Sequence, residues 1–268
     1  MAINSKAISN QWQLFQLALM FFTRLPVSKA LDYSAERLNQ SNRYFSLVGI
    51  VVALLFVVCF ELAQQFWSAE VALVIAMISG FLVTGGFHED GLADAADGIA
   101  GGLTRESRLV IMKDSRIGTY GVLALFSVLL LKYQLLLSLW SVSHQTIVFL
   151  FGVLSAHSLS RAIAGSLIYN TPYVSPEDNS KSKPLAAQQN KTELRILLVL
   201  GALPLLGFLT NDYFWSLVFW LSLSLVLFRS YARVWLFKRI GGITGDCLGA
   251  VQQITELLVY LILLAVLS

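Results

Sequence analysis

The chain has 268 residues, of which 56% are hydrophobic and 13% are charged, and its mean hydropathy is +0.69. A water-soluble domain of this length is normally far more polar, so the composition argues against a soluble protein. The net charge of +3 says little about partners, because the basic residues gather around the apolar segments. We expect the lipid bilayer to be a partner of the chain, and we expect no nucleic acid.

The first apolar segment, Trp12–Val27, is shorter than the roughly 20 residues that cross a bilayer. It carries Arg24 and Pro26 near its end, so we predict an interfacial or re-entrant placement. Longer apolar segments follow, and a backbone in lipid satisfies its own hydrogen bonds by forming helix. The predicted spans are Phe45–Ala63, Val71–Gly86, Thr119–Trp140, Gln145–Tyr169, Leu194–Thr210, Tyr213–Phe237 and Val251–Leu267. The fold class is therefore all-α, a polytopic integral membrane helical bundle of about 6–7 transmembrane helices, and we expect one domain over residues 1–268.

Lysine and arginine collect in alternate connections between these spans, as they do in cytoplasmic loops. The connection 104–118 contains four basic residues, whereas the turn around Gln64–Glu70 contains none. This pattern predicts a multi-pass protein of the cell inner membrane with its polar motifs on the cytoplasmic side. The polar loop Asn170–Glu193 is suited to covering a site there.

The strongest polar motif is Gly85–Gly98, which follows the second predicted span. On a helix, Asp90, Asp94 and Asp97 are spaced i, i+4 and i+7 and share one face. Carboxylates so crowded repel each other unless a cation neutralises them, and Mg²⁺ is bound by carboxylates together with substrate phosphate. We predict that all three bind Mg²⁺, with Asp90 and Asp94 taking part in catalysis. A solvated acidic helix end is the alternative.

That hypothesis carries an expectation about stability. Replacing any one of the three aspartates by asparagine removes a repulsive charge, so each variant is expected to stay folded and to keep or slightly gain stability without metal.

A second polar cluster, Ile111–Gly121, precedes the third predicted span. Lys113 and Arg116 are cationic donors suited to phosphate. Asp114 is a candidate metal ligand or general base. Ordinary juxtamembrane positive charge is the alternative for the cations.

A third cluster, Gly241–Ala250, brings one more carboxylate, Asp246, to the same side of the membrane. We predict that Asp246 is a further metal ligand, with a helix-linking turn as the alternative. Inside the spans, Arg161 is a candidate phosphate-binding residue because ionisable groups at membrane depth are costly and usually functional. Snorkelling to the lipid headgroups from near a helix end is the alternative. Near the carboxylates, His88 is a candidate substrate-binding residue.

These clusters point to metal-assisted phosphoryl transfer. No Ser-His-Asp arrangement, P-loop or dinucleotide fingerprint is present in the sequence. A divalent-cation transporter, in which the same carboxylates line a permeation path, remains an alternative. The sequence leaves open whether the chain forms a homo-oligomer.

The three clusters, together with the segment 22–27 (Phe-Thr-Arg-Leu-Pro-Val), resemble the signature regions of the cobalamin synthase family, in order and over essentially the whole chain. The resemblance implies a membrane transferase that joins adenosylcobinamide-GDP to α-ribazole or its 5′-phosphate, releases GMP and requires Mg²⁺. The chemistry is similar to that of the CDP-alcohol phosphotransferases. Membership of that second family is the nearest enzyme alternative, but the second half of its acidic pattern does not follow Asp97.

Overall fold

The structure is a computed structural model that describes residues 5–28, 30–143, 146–175 and 188–267. Its described part is built from α-helices joined by short 3₁₀ turns and loops, with no β-strand. The helices are α1 (Ser5–Phe22), α2 (Ala35–Ser41), α3 (Phe45–Ala63), α4 (Ala69–Thr84), α5 (Phe87–Gly101), α6 (Arg105–Ile111), α7 (Thr119–Ser143), α8 (Thr146–Ser166), α9 (Lys191–Ala202), α10 (Phe214–Ile240) and α11 (Gly245–Leu267).

Five described helical stretches are long and apolar enough to cross a membrane, and the bent pair α4 and α5 makes a sixth if it counts as one span. The predicted class, an all-α polytopic membrane bundle, is confirmed. The predicted span Leu194–Thr210 is built differently from the others, because α9 ends at Ala202 and a 3₁₀ turn, Leu203–Phe208, follows. Pro204 lies at the start of that turn, and proline has no N–H with which to continue an α-helix.

The chain bends by 86° between α4 and α5. Gly85 and Gly86 make this bend with φ of 70° and 69°. Residues other than glycine rarely adopt this left-handed backbone conformation. The backbone N–H of Arg24 donates to the carbonyl of Val83 at 2.7 Å, which ties the segment after α1 to the bend. The bend directs α5 away from the axis of α4 and presents the acidic motif at one end of the bundle.

Helices α3, α8 and α11 form the centre of the bundle, where large side chains such as Phe56, Phe60, Phe149 and Tyr260 are fully buried. Helices α7 and α10 lie at the periphery and expose much of their apolar surface. Exposed apolar surface of this extent is expected where a helix faces lipid tails. Helix α1 packs on α2 and α3 and is not one of the stretches that meet the length and hydropathy of a span.

Candidate active site

The backbones of α5 and α11 approach closely at two glycines. A Cβ placed on Gly91 would lie 3.1 Å from the backbone of Asp246, and one placed on Gly249 would lie 3.1 Å from the carbonyl oxygen of His88. Only glycine permits so close an approach without moving a helix. The contact places Asp90, next to Gly91, beside the first turn of α11, which carries Asp246.

A cavity of about 250 Å³ opens beside this contact and has both carboxylates in its wall. Aromatic rings form much of the rest of the wall. Phe22 stacks on Phe45 with ring centroids 4.0 Å apart, and Phe87 packs edge-on against the imidazole of His88 at 5.4 Å. His88 is 2% exposed, and its Nε2 has no hydrogen-bond partner among the described residues. The cavity therefore combines apolar aromatic walls with an acidic edge. We call it the carboxylate cavity.

Asp246 is held by the start of its own helix. The hydroxyl of Thr244 accepts a hydrogen bond from the backbone N–H of Cys247 at 3.2 Å, which is the geometry of a helix N-cap. The same hydroxyl lies 3.4 Å from a carboxylate oxygen of Asp246. The first turn of a helix favours a negative charge. The start of α11 therefore offsets part of the cost of burying the Asp246 carboxylate.

Asp94 lies one helical turn beyond Asp90 and is partly buried. It interacts electrostatically with Asp90, Asp97 and Asp246, and Lys113 is the cation that acts on both Asp94 and Asp246. Lys113 therefore lies within electrostatic reach of the acidic residues, and its predicted contact with phosphate stays a prediction. One lysine cannot neutralise this many carboxylates, so the cluster retains negative charge.

Asp97, the third carboxylate of the motif, caps another helix. Its two oxygens accept hydrogen bonds from the backbone N–H groups of Gly118 at 2.6 Å and Gly121 at 2.8 Å, at the start of α7. The side chain is 8% exposed. Free N–H groups at a helix start need such acceptors. Asp97 therefore joins α5 to α7, and its predicted role as a metal ligand stays a prediction, since each oxygen keeps a second lone pair.

Asp114 forms an exposed ion pair with Arg116, which donates to both carboxylate oxygens at 2.5 to 3.1 Å. Because of these hydrogen bonds, the pKa of Asp114 is lowered to about 2. A carboxylate with so low a pKa is a weak proton acceptor. The pair favours a role for Asp114 in holding Arg116, and its roles as metal ligand or general base stay predictions.

The described start of the polar loop lies against the site. Val174 N–H donates to the carbonyl of Ile243 and Ile243 N–H donates to the carbonyl of Pro172, both at 2.9 Å, which forms one isolated parallel bridge. Tyr173 lines the carboxylate cavity, and burial raises the pKa of its phenol. The expectation that the loop covers a site agrees with this contact, although residues 176–187 lie outside the described part of the chain.

Arg161 does not line the carboxylate cavity. It is 2% exposed in the bundle interior, where its guanidinium donates to the backbone carbonyl of His157 at 3.0 Å. Its predicted contact with phosphate stays a prediction. In this structure, its surroundings are those of a structural residue.

Sequence reasoning missed Glu256, which anchors a buried ionic network. Lys132 Nζ from α7 lies 2.6 Å from Glu256 Oε1, and His157 Nε2 from α8 lies 3.3 Å from the same oxygen. Gln252 Nε2 donates to the other carboxylate oxygen at 2.8 Å. The next residue, Gln253, donates to Glu89 in the acidic motif at 2.8 Å. The signal that could have identified Glu256 is the set of polar residues spaced about one helical turn apart within the otherwise apolar helix α11.

Among the described residues, no three His, Cys, Asp or Glu side chains lie close enough together to enclose a metal ion on their own. Mg²⁺ does not require such an enclosure, because it keeps several waters and is usually held by one or two carboxylates plus substrate phosphates. The hard oxygen donors of Asp90, Asp94 and Asp246 match that pattern. The residues present therefore fit Mg²⁺ as a partner shared with a phosphate-bearing substrate.

Comparison with known proteins gives the chain a family. The model of the family described as cobalamin-5-phosphate synthase (CobS) matches residues 14–264. The chain belongs to this CobS family. It is therefore an enzyme of cobalamin synthesis, as the resemblance implied.

Individual relatives agree with the CobS assignment. A protein from Vibrio cholerae serotype O1 named adenosylcobinamide-GDP ribazoletransferase is 49% identical over 258 residues, which are 96% of this chain and 95% of the relative. A protein of the same name from Shewanella amazonensis is 50% identical over 254 residues, which are 94% of this chain and 95% of that relative. No solved structure matches the chain significantly.

Proposed function

We propose that this CobS-family protein is a Mg²⁺-dependent adenosylcobinamide-GDP ribazoletransferase of the inner membrane, with its active site on the cytoplasmic side. It joins adenosylcobinamide-GDP to α-ribazole or α-ribazole 5′-phosphate and releases GMP. The observation that carries the proposal is the carboxylate cavity, in which aromatic walls meet Asp90 and Asp246. The name that these relatives share, adenosylcobinamide-GDP ribazoletransferase, supplies the substrate.

The cavity suits the acceptor of this reaction. Aromatic rings stack on one another or meet edge to face, so a wall of Phe22, Phe45 and Phe87 is a suitable surface for the benzimidazole ring of ribazole. The acidic edge then lies beside the ribose hydroxyl. Tyr173 closes the cavity from the loop side.

The chain's charged residues suit the donor. Lys113 and Arg116 would hold the diphosphate oxygens, since both side chains are exposed. Lys113 acts on Asp94 and Asp246, and Arg116 pairs with Asp114. Asp90, Asp94 and Asp246 would hold Mg²⁺, which when bound supplies positive charge against the phosphate oxygens.

The transfer itself is a displacement at phosphorus. The ribazole hydroxyl oxygen forms a bond to the phosphorus attached to the cobinamide arm, and the bond from that phosphorus to the bridging oxygen breaks. GMP leaves with the bridging oxygen, and the hydroxyl proton passes to a nearby carboxylate. The protein's contribution is to position the two substrates and to stabilise the charge on the transferred group.

The test uses the purified full chain in liposomes and measures GMP release. Release is expected only when both substrates and Mg²⁺ are present. Asp90→Asn and Asp246→Asn are each expected to lower turnover by at least about 100-fold, as expected for loss of charge stabilisation at a transferring group. Glu106→Gln, an exposed acidic residue on α6, is the matched control and should keep wild-type turnover.

Other results would contradict the proposal. Release of CMP from a CDP-alcohol with no use of the cobinamide substrate would identify a CDP-alcohol-type phosphotransferase. Movement of Mg²⁺ into the liposomes without any nucleotide would identify a divalent-cation transporter.

A further inference from the structure

A second cavity, separate from the carboxylate cavity, lies between α5, α7, α10 and α11. It has a volume of about 620 Å³, and its lining is almost entirely apolar. Ala96, Ala124 and Ala232 contribute small side chains to its walls, and Trp235 and Tyr231 of α10 contribute rings. We call it the apolar groove.

The apolar groove is open sideways. Tyr120, Tyr231 and Ile254 line it and are 52%, 62% and 41% exposed, respectively. These residues belong to three helices that qualify as membrane spans. A molecule within the bilayer can therefore enter the groove from the side without passing through water.

Basic residues surround the end of the groove formed by the last turn of α10. The guanidinium of Arg239 lies over the ring of Trp235 at 5.7 Å. Arg108 from α6 donates to the backbone carbonyl of Arg239 at 2.9 Å, and the side chain of Arg105 lies against Gly241. Lys238 precedes Arg239 in α10. Glu106, an acidic residue, lies between Arg105 and Arg108 in α6. Across the described ranges, none of these four basic side chains forms an ion pair.

An apolar groove with an unpaired basic end matches the two halves of an anionic phospholipid. The acyl chain gains contact with the alanine-lined walls, and the phosphate gains charge-assisted hydrogen bonds from the arginines. Basic pockets at the ends of membrane helices bind acidic lipid headgroups in the same way. A zwitterionic lipid fits the groove equally well but is drawn less strongly to the basic end.

We propose that the apolar groove is a binding site for an anionic phospholipid, with the acyl chain along Trp235 and the headgroup phosphate on Arg105 and Arg239. The site is distinct from the carboxylate cavity, because it lies on the face of α5 that carries Ala95 and Ala96. It does not depend on the proposed transfer reaction.

The experiment measures fluorescence quenching in two variants of the full chain that each keep one tryptophan, the others being replaced by phenylalanine. One keeps Trp235. The matched control keeps Trp220, which is 48% exposed and lies six residues after the start of α10, whereas Trp235 lies five residues before its end. The probes are phosphatidylcholine vesicles that contain a small fraction of a brominated lipid, which is either phosphatidylglycerol or phosphatidylcholine. In both brominated lipids, the bromine atoms lie near the headgroup end of the acyl chain.

Trp235 is expected to be quenched at a lower mole fraction of the brominated phosphatidylglycerol, by about fivefold for each arginine that holds the headgroup. Trp220 should be quenched equally by both lipids. In the Trp235 background, the Arg105→Gln/Arg239→Gln variant should lose the preference, while Lys191→Gln, at an exposed position on α9, should keep it. Ala124→Phe fills the groove and should remove the preference with both arginines intact.

Equal quenching of Trp235 by the two lipids would overturn the proposal. Absence of quenching by either lipid, together with cross-linking of two chains through α10, would also overturn it and would show that a second copy covers the groove. Preference that survives both the arginine and the Ala124→Phe substitutions would place the lipid elsewhere.

Discussion

Asp97 differs from its neighbours in the acidic motif because both of its oxygens accept hydrogen bonds from the backbone at the start of α7. Sequence spacing places it on the same helix face as Asp90 and Asp94, and on that basis Asp97→Asn is expected to keep or gain stability. The hydrogen bonds to Gly118 and Gly121 predict the opposite. An asparagine offers one acceptor oxygen and an N–H₂ group, so one backbone N–H would face another donor.

We therefore expect Asp97→Asn to lower the free energy of unfolding by about 1–2 kcal/mol, the usual cost of losing a helix cap. Thermal unfolding in detergent without Mg²⁺ checks this. Asp90→Asn is the matched comparison, since Asp90 is exposed and has no capping role in the structure. Equal stability of the two variants would show that the cap contributes nothing.

Asp114 gives a prediction about pH. Its pKa is lowered to about 2 by Arg116, so the carboxylate is ionised throughout the working range and becomes protonated only as the pH falls toward 2. A loss of activity between about pH 5 and 7 must then arise from another group. We expect Asp114→Asn to raise the KM for the GDP-bearing substrate. The pH at which kcat/KM falls on the acid side should stay unchanged.

The pH profiles of wild type and Asp114→Asn, measured with GMP release, provide the test. Loss of the acid limb in Asp114→Asn, with turnover falling far more than affinity, would show that Asp114 is the general base after all.

At the scale of elements, the contact between α5 and α11 positions the site. A valine at Gly249 would meet the backbone of α5 at the carbonyl of His88 and at Gly91. Backbone atoms cannot rotate away as a flexible side chain can, so the helices must separate. We expect Gly249→Val to reduce turnover strongly, because Asp90 and Asp246 would no longer lie in the wall of one cavity.

The matched control is Gly245→Ala, four residues earlier on the same helix, where a Cβ meets only the hydroxyl of Tyr173 at 4.0 Å. Turnover and the Mg²⁺-dependent rise in melting temperature are measured for both variants. Wild-type values for Gly249→Val would mean that the contact between α5 and α11 does not control the site.

The elements also show what the sequence can predict. The spacing of the three aspartates predicts helix α5, and the structure has that helix from Phe87 to Gly101. The partners of Asp97 and Glu256 could not be predicted, because they depend on how helices distant in sequence dock. Asp97 bonds to residues that begin another helix, and Glu256 meets a lysine more than a hundred residues earlier. Local pattern gives an element and its faces, but not the neighbour of each face.

At the scale of the whole molecule, the contact between α5 and α11 and the interactions of Lys113 bring the three polar clusters together. The side of the membrane on which they lie stays a prediction from the charge pattern. We expect cysteines at Ser115 and Thr192, both exposed, to be labelled only from the cytoplasmic side. A cysteine at Asp212, at the opposite end, should be labelled only from outside. The measurement uses a membrane-impermeant maleimide on intact cells and on inverted vesicles, with Cys59 replaced by serine. The reverse pattern would invert the proposed orientation.

The ion pair between Lys132 and Glu256 has a consequence for the order in which the protein is made. Lys132 lies in the middle of α7, and a lone charge at the centre of a membrane helix costs about 2.5–3.5 kcal/mol. Its partner Glu256 lies in α11, which is synthesised after α7. The amine of Lys132 therefore lacks this partner until α11 has been synthesised. A chain that stops before α11 is left without this partner, and we expect such a chain to be recognised as unfinished by cellular quality control.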